Sequence, residues 1–240
     1  MELRFAGVGS AFTTKEYWQS NMIVSHDGKN LLIDCGGDIR FSLAELNMSY
    51  KDIDAVYISH LHADHIGGLE WLGFCTYFDP KVLQRPKMYI AEKLVDDLWE
   101  TLKAGMQLST GKTTLHDFFD VNPIKPNESF NFGNADFFPV EMIHMMSGNK
   151  IINSYGLANN QTFITTDIQF CPNQIQSFYE KAEIIFHDCE TSLRHSGVHA
   201  HYDDLKTLPK EIKSKMYLYH YQPNPEQDPI QDGFAGFVRK

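Results

Sequence analysis

The stretch AVYISHLHADH, residues 55–65, is the strongest indication of fold and function in the chain. Its first part, 55–59, is a short apolar run typical of a strand that is buried on both faces. Three imidazoles and one carboxylate follow within six residues, and groups packed this closely repel one another unless a metal ion organises them. Nitrogen and oxygen donors of this kind suit Zn²⁺, Mn²⁺ or Fe. The stretch therefore predicts a metal site on the loop that follows a buried strand.

Short strands and helices alternate on both sides of this stretch. The predicted strands are Leu3–Val8, Asn21–Ser25, Leu31–Asp34, Lys87–Ile90, Gln161–Thr166, Ile184–Phe186 and Met216–Tyr219, with a hairpin of Glu128–Phe132 and Ala135–Val140 about Gly133. The predicted helices are Ile39–Leu46, Gly67–Phe74, Glu92–Leu102, Asn173–Lys181 and His201–Leu208. The proline-containing tail is expected to be irregular. With no repeat and no low-complexity linker, residues 1–240 are expected to form one domain.

Composition narrows the class of protein and of ligand. The formal net charge of -10 repels a polyanion such as tRNA or DNA at long range, so a long nucleic acid is disfavoured. No run approaches the roughly 20 apolar residues that a bilayer span needs, and the start MELRFAGVGS has no signal-peptide pattern, so a cytoplasmic location with no membrane contact is expected. The four cysteines are scattered without a C-x-x-C pair, and we expect them to be reduced.

Three further residues at predicted strand ends can complete a metal centre. His144, Asp167 and His220 each come at the end of a β-rich segment. Taken singly, His144 is more often a structural histidine, Asp167 a turn or helix cap, and His220 a core residue. Two metals need more ligands than one loop supplies, so the joint pattern favours a dinuclear site.

The motif HLHADHIGGLE, preceded by DCGG and followed by His, Asp and His, resembles the metallo-β-lactamase superfamily over most of the chain. The resemblance implies an α+β fold, a four-layer αββα sandwich with a dinuclear metal site at one edge of its two sheets. It also implies that a hydroxide bridging two divalent ions, Zn or else Mn or Fe, is the nucleophile. The implied ligands are His60, His62 and His144 for the first metal, Asp64, His65 and His220 for the second, and Asp167 between them.

Within the superfamily, the segments GSAFTTKEYWQSN, LLIDCGG and HDCET resemble the ribonuclease Z-like phosphodiesterase branch. That resemblance implies a histidine that protonates the leaving oxygen and an acidic residue that orients it. The matching candidates are His199, or else His201, with Asp188 as the orienting carboxylate, and Asp64 as a catalytic residue that orients the nucleophile. The segment HDCE departs from the His-Glu-Ala-Thr-type segment of that branch.

The spacing of the candidate ligands bears on the substrate. Ribonuclease Z inserts a long tRNA-gripping arm between the counterparts of His144 and Asp167, where this chain has only 22 residues. Compact members of the branch include cyclic-nucleotide phosphodiesterases and the anti-Pycsar enzymes, which degrade cyclic pyrimidine nucleotides of bacterial anti-phage signalling. The expected substrate is therefore a small phosphodiester such as a 3′,5′-cyclic nucleotide. The alternatives are a ribonuclease Z-like tRNA 3′-processing endonuclease and a lactonase or thioesterase of the same fold.

Two further expectations concern Asp34 and the oligomeric state of the protein. Asp34 is expected to accept a hydrogen bond from a metal-ligating histidine and not to be a ligand itself. The protein is expected to be a homodimer, and Phe234 and Phe237 are candidates for sealing a dimer interface or a pocket rim. The residues that contact the substrate are not identified by the sequence.

Overall fold

The computed structural model describes residues 1–240 and contains two facing β-sheets. The first sheet has the strand order β1 (Glu2–Phe5), β2 (Met22–His26), β3 (Lys29–Ile33), β4 (Ala55–Ile58), β5 (Lys87–Ala91) and β6 (Asp120–Ile124). Strands β1 to β3 pair antiparallel, and β3 to β6 pair parallel. The carboxyl ends of β3 to β6 therefore share one edge of this sheet.

The second sheet is built in the same mixed manner. Its strands, again in spatial order, are β13 (Gly236–Phe237), β12 (Met216–Tyr219), β11 (Ile184–Asp188), β10 (Thr162–Ile164), β9 (Lys150–Ala158), β8 (Ala135–Ser147) and β7 (Phe130–Phe132). Strands β10 to β13 are parallel, whereas β7 to β10 are antiparallel. The ends of β10, β11 and β12 thus meet at one edge as well.

Helices cover the outer face of each sheet. The helices are α1 (Ile39–Glu45), α2 (Ala63–Ile66), α3 (Leu69–Phe78), α4 (Val95–Thr110), α5 (Pro172–Lys181), α6 (Tyr202–Leu205) and α7 (Lys210–Lys213). Three 3-10 turns occur at Tyr50–Asp52, Glu92–Leu94 and Leu115–Asp117. Helices α1, α3 and α4 contribute to the apolar cluster outside the first sheet, and α5 to α7 to the cluster outside the second.

Strand β4 illustrates how the layers are held together. Val56 and Ile58 lie in the outer cluster beneath the helices, whereas Ala55 and Tyr57 lie in the cluster between the two sheets. Because alternate side chains of a strand point to opposite faces, an apolar run without polar alternation is what a strand between two layers requires. The αββα sandwich expected from the resemblance is confirmed by this arrangement.

Several element boundaries differ from the sequence expectations. Strand β9 was not predicted, because Asn153 and Ser154 interrupt its apolar pattern; Ser154 is nevertheless buried, with its hydroxyl 2.7 Å from that of Thr166. Helix α4 runs to Thr110, and the predicted helix at 201–208 is only one turn, α6. The expectation that Phe234 seals a dimer interface was wrong, since this ring is buried within the chain and packs on Tyr202 with ring centroids 5.6 Å apart.

No helix of the structure is both long enough and apolar enough to cross a membrane.

Candidate metal centre

The loop after β4 turns its imidazoles inward. His60 follows the strand, His62 immediately precedes α2 with extended backbone, and α2 carries Asp64 and His65. The side chains of His60, Asp64 and His65 are buried, and that of His62 is half-buried. Burial of four titratable groups on one loop costs free energy unless they are paired or bind a metal. The loop therefore has the character of an interior site and not of a solvated turn.

A first cluster joins this loop to the second sheet. His62 Nδ1 lies 3.2 Å from His60 Nε2 and 3.0 Å from His144 Nε2, and His60 Nε2 lies 3.7 Å from Asp167 Oδ2. Two ligands of a tetrahedral ion, each about 2.0 to 2.1 Å from it, are about 3.3 Å apart. These donor atoms therefore have the spacing of a metal-binding set.

A second cluster lies beside the first and shares Asp167 with it. His65 Nε2 is 3.2 Å from both Asp64 Oδ2 and Asp167 Oδ2. His220 Nε2 is 3.6 Å from Asp167 Oδ2 and 3.9 Å from Asp64 Oδ2. All seven candidate ligands from the sequence are thus brought together, in the two sets expected from the resemblance.

Unsatisfied polar atoms provide a test of whether these residues fit a metal. His65 Nε2, His220 Nε2 and Asp167 Oδ1 are buried and form no hydrogen bond, although carboxylate oxygens lie near both imidazole nitrogens. Buried polar atoms almost always have a partner. Imidazole nitrogen and carboxylate oxygen are ligands that divalent transition ions accept. The donor set fits divalent metal ions.

His144 reaches the first cluster through an irregularity of β8. Ile143 pairs with Asn153, but the next paired residue, Met145, faces Ile152, so His144 is the extra residue of a β-bulge. A bulge bends the strand and redirects a side chain. The ring of His144 is fully buried against His60 and His62.

Left-handed backbone recurs where strands deliver residues to the site. Asp34, Thr166 and His220 have φ values of 62°, 53° and 65°. Such conformations are uncommon for residues other than glycine and cost of order 1–3 kcal/mol each. Asp34 follows β3, Thr166 precedes Asp167, and His220 follows β12. Three of the eight non-glycine residues with positive φ are therefore at or next to the candidate centre.

Hydrogen bonds hold three of the histidine rings in place. Asp34 Oδ2 lies 2.7 Å from His65 Nδ1 and 2.7 Å from Ser59 Oγ, which is 3.0 Å from His60 Nδ1. Ser20 Oγ lies 2.6 Å from His220 Nδ1. If each Nδ1–H donates along these contacts, each Nε2 keeps a lone pair for a metal. Asp34 lies where the sequence placed it.

Two of these partners were missed by sequence reasoning. Ser59 could have been found, because it directly precedes His60 at the end of a predicted strand. Ser20 lies 200 positions from His220 in the chain and has no sequence signal that links them.

Glycine in the DCGG segment packs directly behind the histidine loop. A Cβ on Gly36 would lie 2.2 Å from the carbonyl oxygen of Asp64, which is too close for any side chain. The backbone N–H of Gly36 donates to Asn21 Oδ1 at 2.7 Å, and that of Cys35 donates to the carbonyl of His65 at 2.7 Å. These contacts therefore fix the position of the histidine loop relative to the first sheet.

Burial keeps most of the imidazoles neutral. It lowers the pKa of His60 well below the ordinary value, lowers that of His62, and lowers that of His144 to about 4. Neutral imidazole is the form that binds a metal. His65 is the exception: burial opposes its charged form, but the carboxylates of Asp167, Asp34 and Asp64 raise its pKa well above the ordinary value.

His199 lies at the mouth of the centre with a carboxylate behind it. Its Nδ1 is 3.0 Å from Asp188 Oδ2, which also accepts from the backbone N–H of Ile168 at 3.0 Å. The ring centroid of His199 is 4.8 Å from that of His220 and 5.5 Å from that of His144. Burial lowers its pKa, but the charge and hydrogen bond of Asp188, together with the charges of Asp167 and Glu190, outweigh burial and raise the pKa to about 10. His199 is thus a partly accessible imidazolium beside both clusters.

The other candidate proton donor, His201, has a local structural role. Its Nδ1 accepts from the backbone N–H of Asp203 at 3.2 Å, which caps α6, and its Nε2 donates to the carbonyl of Ser192 at 2.9 Å. Glu190, which follows Asp188 by two positions, accepts hydrogen bonds from the hydroxyls of Ser192 and Ser196. His199, and not His201, therefore faces the candidate centre.

Comparison with known proteins agrees with this geometry. The family model for the anti-Pycsar protein Apyc1 matches residues 1–240. The chain belongs to the anti-Pycsar Apyc1 family. An Apyc1 protein of Paenibacillus harenae is 36% identical, covering 100% of this chain and 96% of the relative. An Apyc1 protein of Bacillus phage vB_BsuM-Goe3 is 30% identical, covering 94% of this chain and 91% of the relative.

The fold of this Apyc1 family member has counterparts among solved structures. The metallo-β-lactamase fold protein YhfI from Bacillus subtilis is similar to it with a TM-score of 0.72 and 17% sequence identity, over 99% of this chain and 94% of that chain. The metallo-β-lactamase fold expected from the HLHADH and DCGG motifs is confirmed. The anti-Pycsar family, expected among the compact members of the branch, is confirmed as well.

Proposed function

We propose that this chain is a metal-dependent phosphodiesterase that hydrolyses a small phosphodiester, specifically a 3′,5′-cyclic nucleotide. The observation that carries the proposal is the pair of buried donor sets that share Asp167, with the His199–Asp188 pair beside them. The anti-Pycsar enzymes that the sequence resembles degrade cyclic pyrimidine nucleotides. Membership of this family therefore favours a cyclic pyrimidine nucleotide as the substrate.

The ligand assignment follows from the donor atoms. His60, His62 and His144 would hold one divalent ion, Asp64, His65 and His220 a second, and Asp167 would contribute to both. We assign zinc to the two positions, with manganese or iron as alternatives that the same ligands accept. Two such cations, when bound, would supply hydroxide at neutral pH and neutralise negative charge that develops at phosphorus. Asp64, with its oxygen 3.2 Å from His65 Nε2, is in position to orient the nucleophile.

His199 is the proposed general acid. Hydrolysis of a phosphodiester leaves an alkoxide that needs a proton, and an imidazolium with one nitrogen toward a carboxylate can present its other N–H to that oxygen. Asp188 orients the ring from behind and favours its charged form. This pair supports ester hydrolysis at phosphorus, because a lactonase or thioesterase of the same fold does not require an acid at this position.

The short segment between His144 and Asp167 supports a small substrate. The 22 residues between His144 and Asp167 are occupied by the end of β8, by β9 and by β10, which form sheet and leave no segment for a tRNA-gripping arm. The net charge of -10 also disfavours a long polyanion. A tRNA 3′-processing activity is therefore the weaker alternative. We also propose that the protein is a homodimer and is located in the cytoplasm.

Metal analysis and a hydrolysis panel on one purified sample test the proposal. The panel contains the purine and pyrimidine 3′,5′-cyclic nucleotides, a precursor tRNA, a lactone and a thioester. We expect two divalent ions per chain and turnover of cyclic nucleotides, lost in His62→Ala and retained in the control His116→Ala, whose side chain lies far from the centre in the 3-10 turn before β6. Turnover of the lactone or thioester alone, unchanged in His199→Ala, would replace the phosphodiesterase assignment.

A further inference from the structure

A large cavity lies at the opposite end of the first sheet from the candidate metal centre. It has a volume of about 1090 Å³ and is lined where β4, β5 and β6 begin, at Ala55, Lys87 and Asp120. The metal centre lies beyond the other end of β4, at His60. The length of the strands therefore separates the two sites, and no candidate metal ligand lines this cavity.

The cavity is basic although the protein is acidic. Its lining contains five of the 21 lysine and arginine residues of the chain but only two of the 31 aspartates and glutamates, Asp54 and Asp120. The cations are Lys29, Lys51, Lys81, Arg85 and Lys87. Because the net charge of the chain is -10, a small anion repelled from most of the surface is attracted here.

Most of these cations are not neutralised by the protein. Lys51 is the one that forms a salt bridge, to Asp79 at 2.9 Å, and Arg85 donates to the backbone carbonyl of His116. The ammonium groups of Lys29, Lys81 and Lys87 form no salt bridge, and all three side chains are exposed. Like charges held around one cavity repel one another, and a bound anion would relieve that repulsion.

The backbone that carries these lysines is fixed in place. Asp79 anchors the start of the 79–86 loop by accepting hydrogen bonds from Tyr50 Oη at 2.8 Å and from the backbone N–H of Lys81 at 2.9 Å. Lys87 pairs in register with Ala55 and Asp120 at the first position of the parallel strands, and its N–H donates to the carbonyl of Asp54 at 3.0 Å. The backbone at Lys81 and Lys87 is therefore held in place at the edge of the cavity.

We propose that this cavity binds a small molecule that carries several phosphate groups. Three unpaired ammonium groups exceed what a single phosphate needs, and lysine binds phosphate as a point charge. The cavity is as large as the upper range of small-molecule sites, about 300–1,000 Å³. A multiply charged anion such as a nucleoside triphosphate or inorganic triphosphate satisfies both the charge and the size.

Calorimetric titration of the metal-loaded protein with inorganic triphosphate tests this site. The variant Lys81→Gln/Lys87→Gln removes two charges from the cavity, and Lys181→Gln/Lys210→Gln removes two from exposed positions on α5 and α7. We expect the cavity variant to bind triphosphate about tenfold or more weakly than wild type, and the control variant to bind within about twofold of it. Higher ionic strength should weaken the binding in wild type more than in the cavity variant.

Two outcomes would overturn the proposal. One is equal triphosphate affinity of the cavity variant and the control variant. The other is binding that disappears in His62→Ala, which would assign the anion to the metal centre. Hydrolysis by the cavity variant is expected to be unchanged, since none of its substituted residues belongs to that centre. If circular dichroism shows that the double variant is unfolded, the same titration of Lys81→Gln, an exposed loop residue, decides the question.

Discussion

His65 is the candidate ligand whose protonation differs most between the metal-free and the metal-bound centre. Without a metal it is held between three carboxylates, and although burial opposes its charge, they raise its pKa well above the ordinary value. With a metal, its Nε2 must be free of a proton. Metal binding at this position therefore has to displace a proton, and the competition between the two becomes stronger as the pH falls.

The apparent affinity for Zn²⁺ is predicted to weaken as the pH is lowered from 8 to 6, by up to about tenfold per pH unit for one displaced proton. Competition against a chelator of known affinity at each pH measures this slope. In Asp34→Asn one of the three carboxylates is removed, so the pKa of His65 falls and the slope should become shallower. An affinity that is independent of pH would contradict the account of His65.

Substitutions of His199 and His201, which are two positions apart, are predicted to affect different properties: catalysis for His199 and stability for His201. His199→Ala is expected to lower kcat for a cyclic nucleotide by about 10²–10⁴, the usual contribution of a general acid, with metal content unchanged. His201→Ala is expected to lower stability by about 1 kcal/mol through loss of the α6 cap, with kcat largely retained. Steady-state kinetics and thermal unfolding of both variants separate the roles. A kcat loss of equal size in both would argue against the assignment of His199.

At the scale of elements, the sequence predicts strands better than it predicts how they deliver the ligands. The apolar run 55–58 and the motif after it identify β4 and its loop, because burial on both faces leaves a readable pattern. The bulge at His144 leaves no such pattern, since it depends on pairing with β9, which itself was not predicted. The choice between His199 and His201 likewise depends on contacts between separate segments of the chain, of His199 with Asp188 and of His201 with the carbonyl of Ser192, and these contacts leave no pattern in the sequence.

The DCGG segment provides a matched pair of substitutions. Gly36→Ala would place a Cβ 2.2 Å from the carbonyl oxygen of Asp64, whereas the nearest atom to a Cβ on Gly37 is Gln19 Oε1 at 3.7 Å. Neither glycine has a positive φ. Gly36→Ala is therefore expected to lower the free energy of unfolding by about 2 kcal/mol or more and to weaken metal binding.

Gly37→Ala is the control, and its stability is expected to be within about 0.5 kcal/mol of wild type, as for surface changes without strain. Chemical denaturation and metal titration of both variants measure the difference. Similar behaviour of the two variants would show that the contact between Gly36 and the histidine loop does not fix the site.

At the scale of the molecule, the centre connects the two halves of the sandwich. Its candidate ligands come from the loop after β4 in the first sheet and, in the second, from β8 and from the segments that follow β10 and β12. A divalent ion bound by both sheets stabilises the folded state by an amount that grows with the logarithm of its free concentration relative to Kd, about 4 kcal/mol at a thousandfold excess over Kd. The two sheets would then be held together by the metal as well as by the apolar cluster between them.

Chelation is therefore expected to lower the Tm by about 8–16 °C for a chain of this length. Differential scanning calorimetry with and without EDTA, and again after zinc is restored, measures the effect and its reversal. His62→Ala should show a smaller difference, because its first cluster is incomplete. A Tm that does not respond to EDTA in the wild-type protein would mean that no metal joins the sheets.

The most direct test of the central claim is the hydrolysis of a cyclic pyrimidine nucleotide by metal-stripped protein as divalent ions are added back. Two donor sets that share Asp167 predict no turnover without metal and a rate that reaches its plateau at two equivalents per chain. Full turnover after stripping, or a rate that does not respond to added metal, would contradict the account.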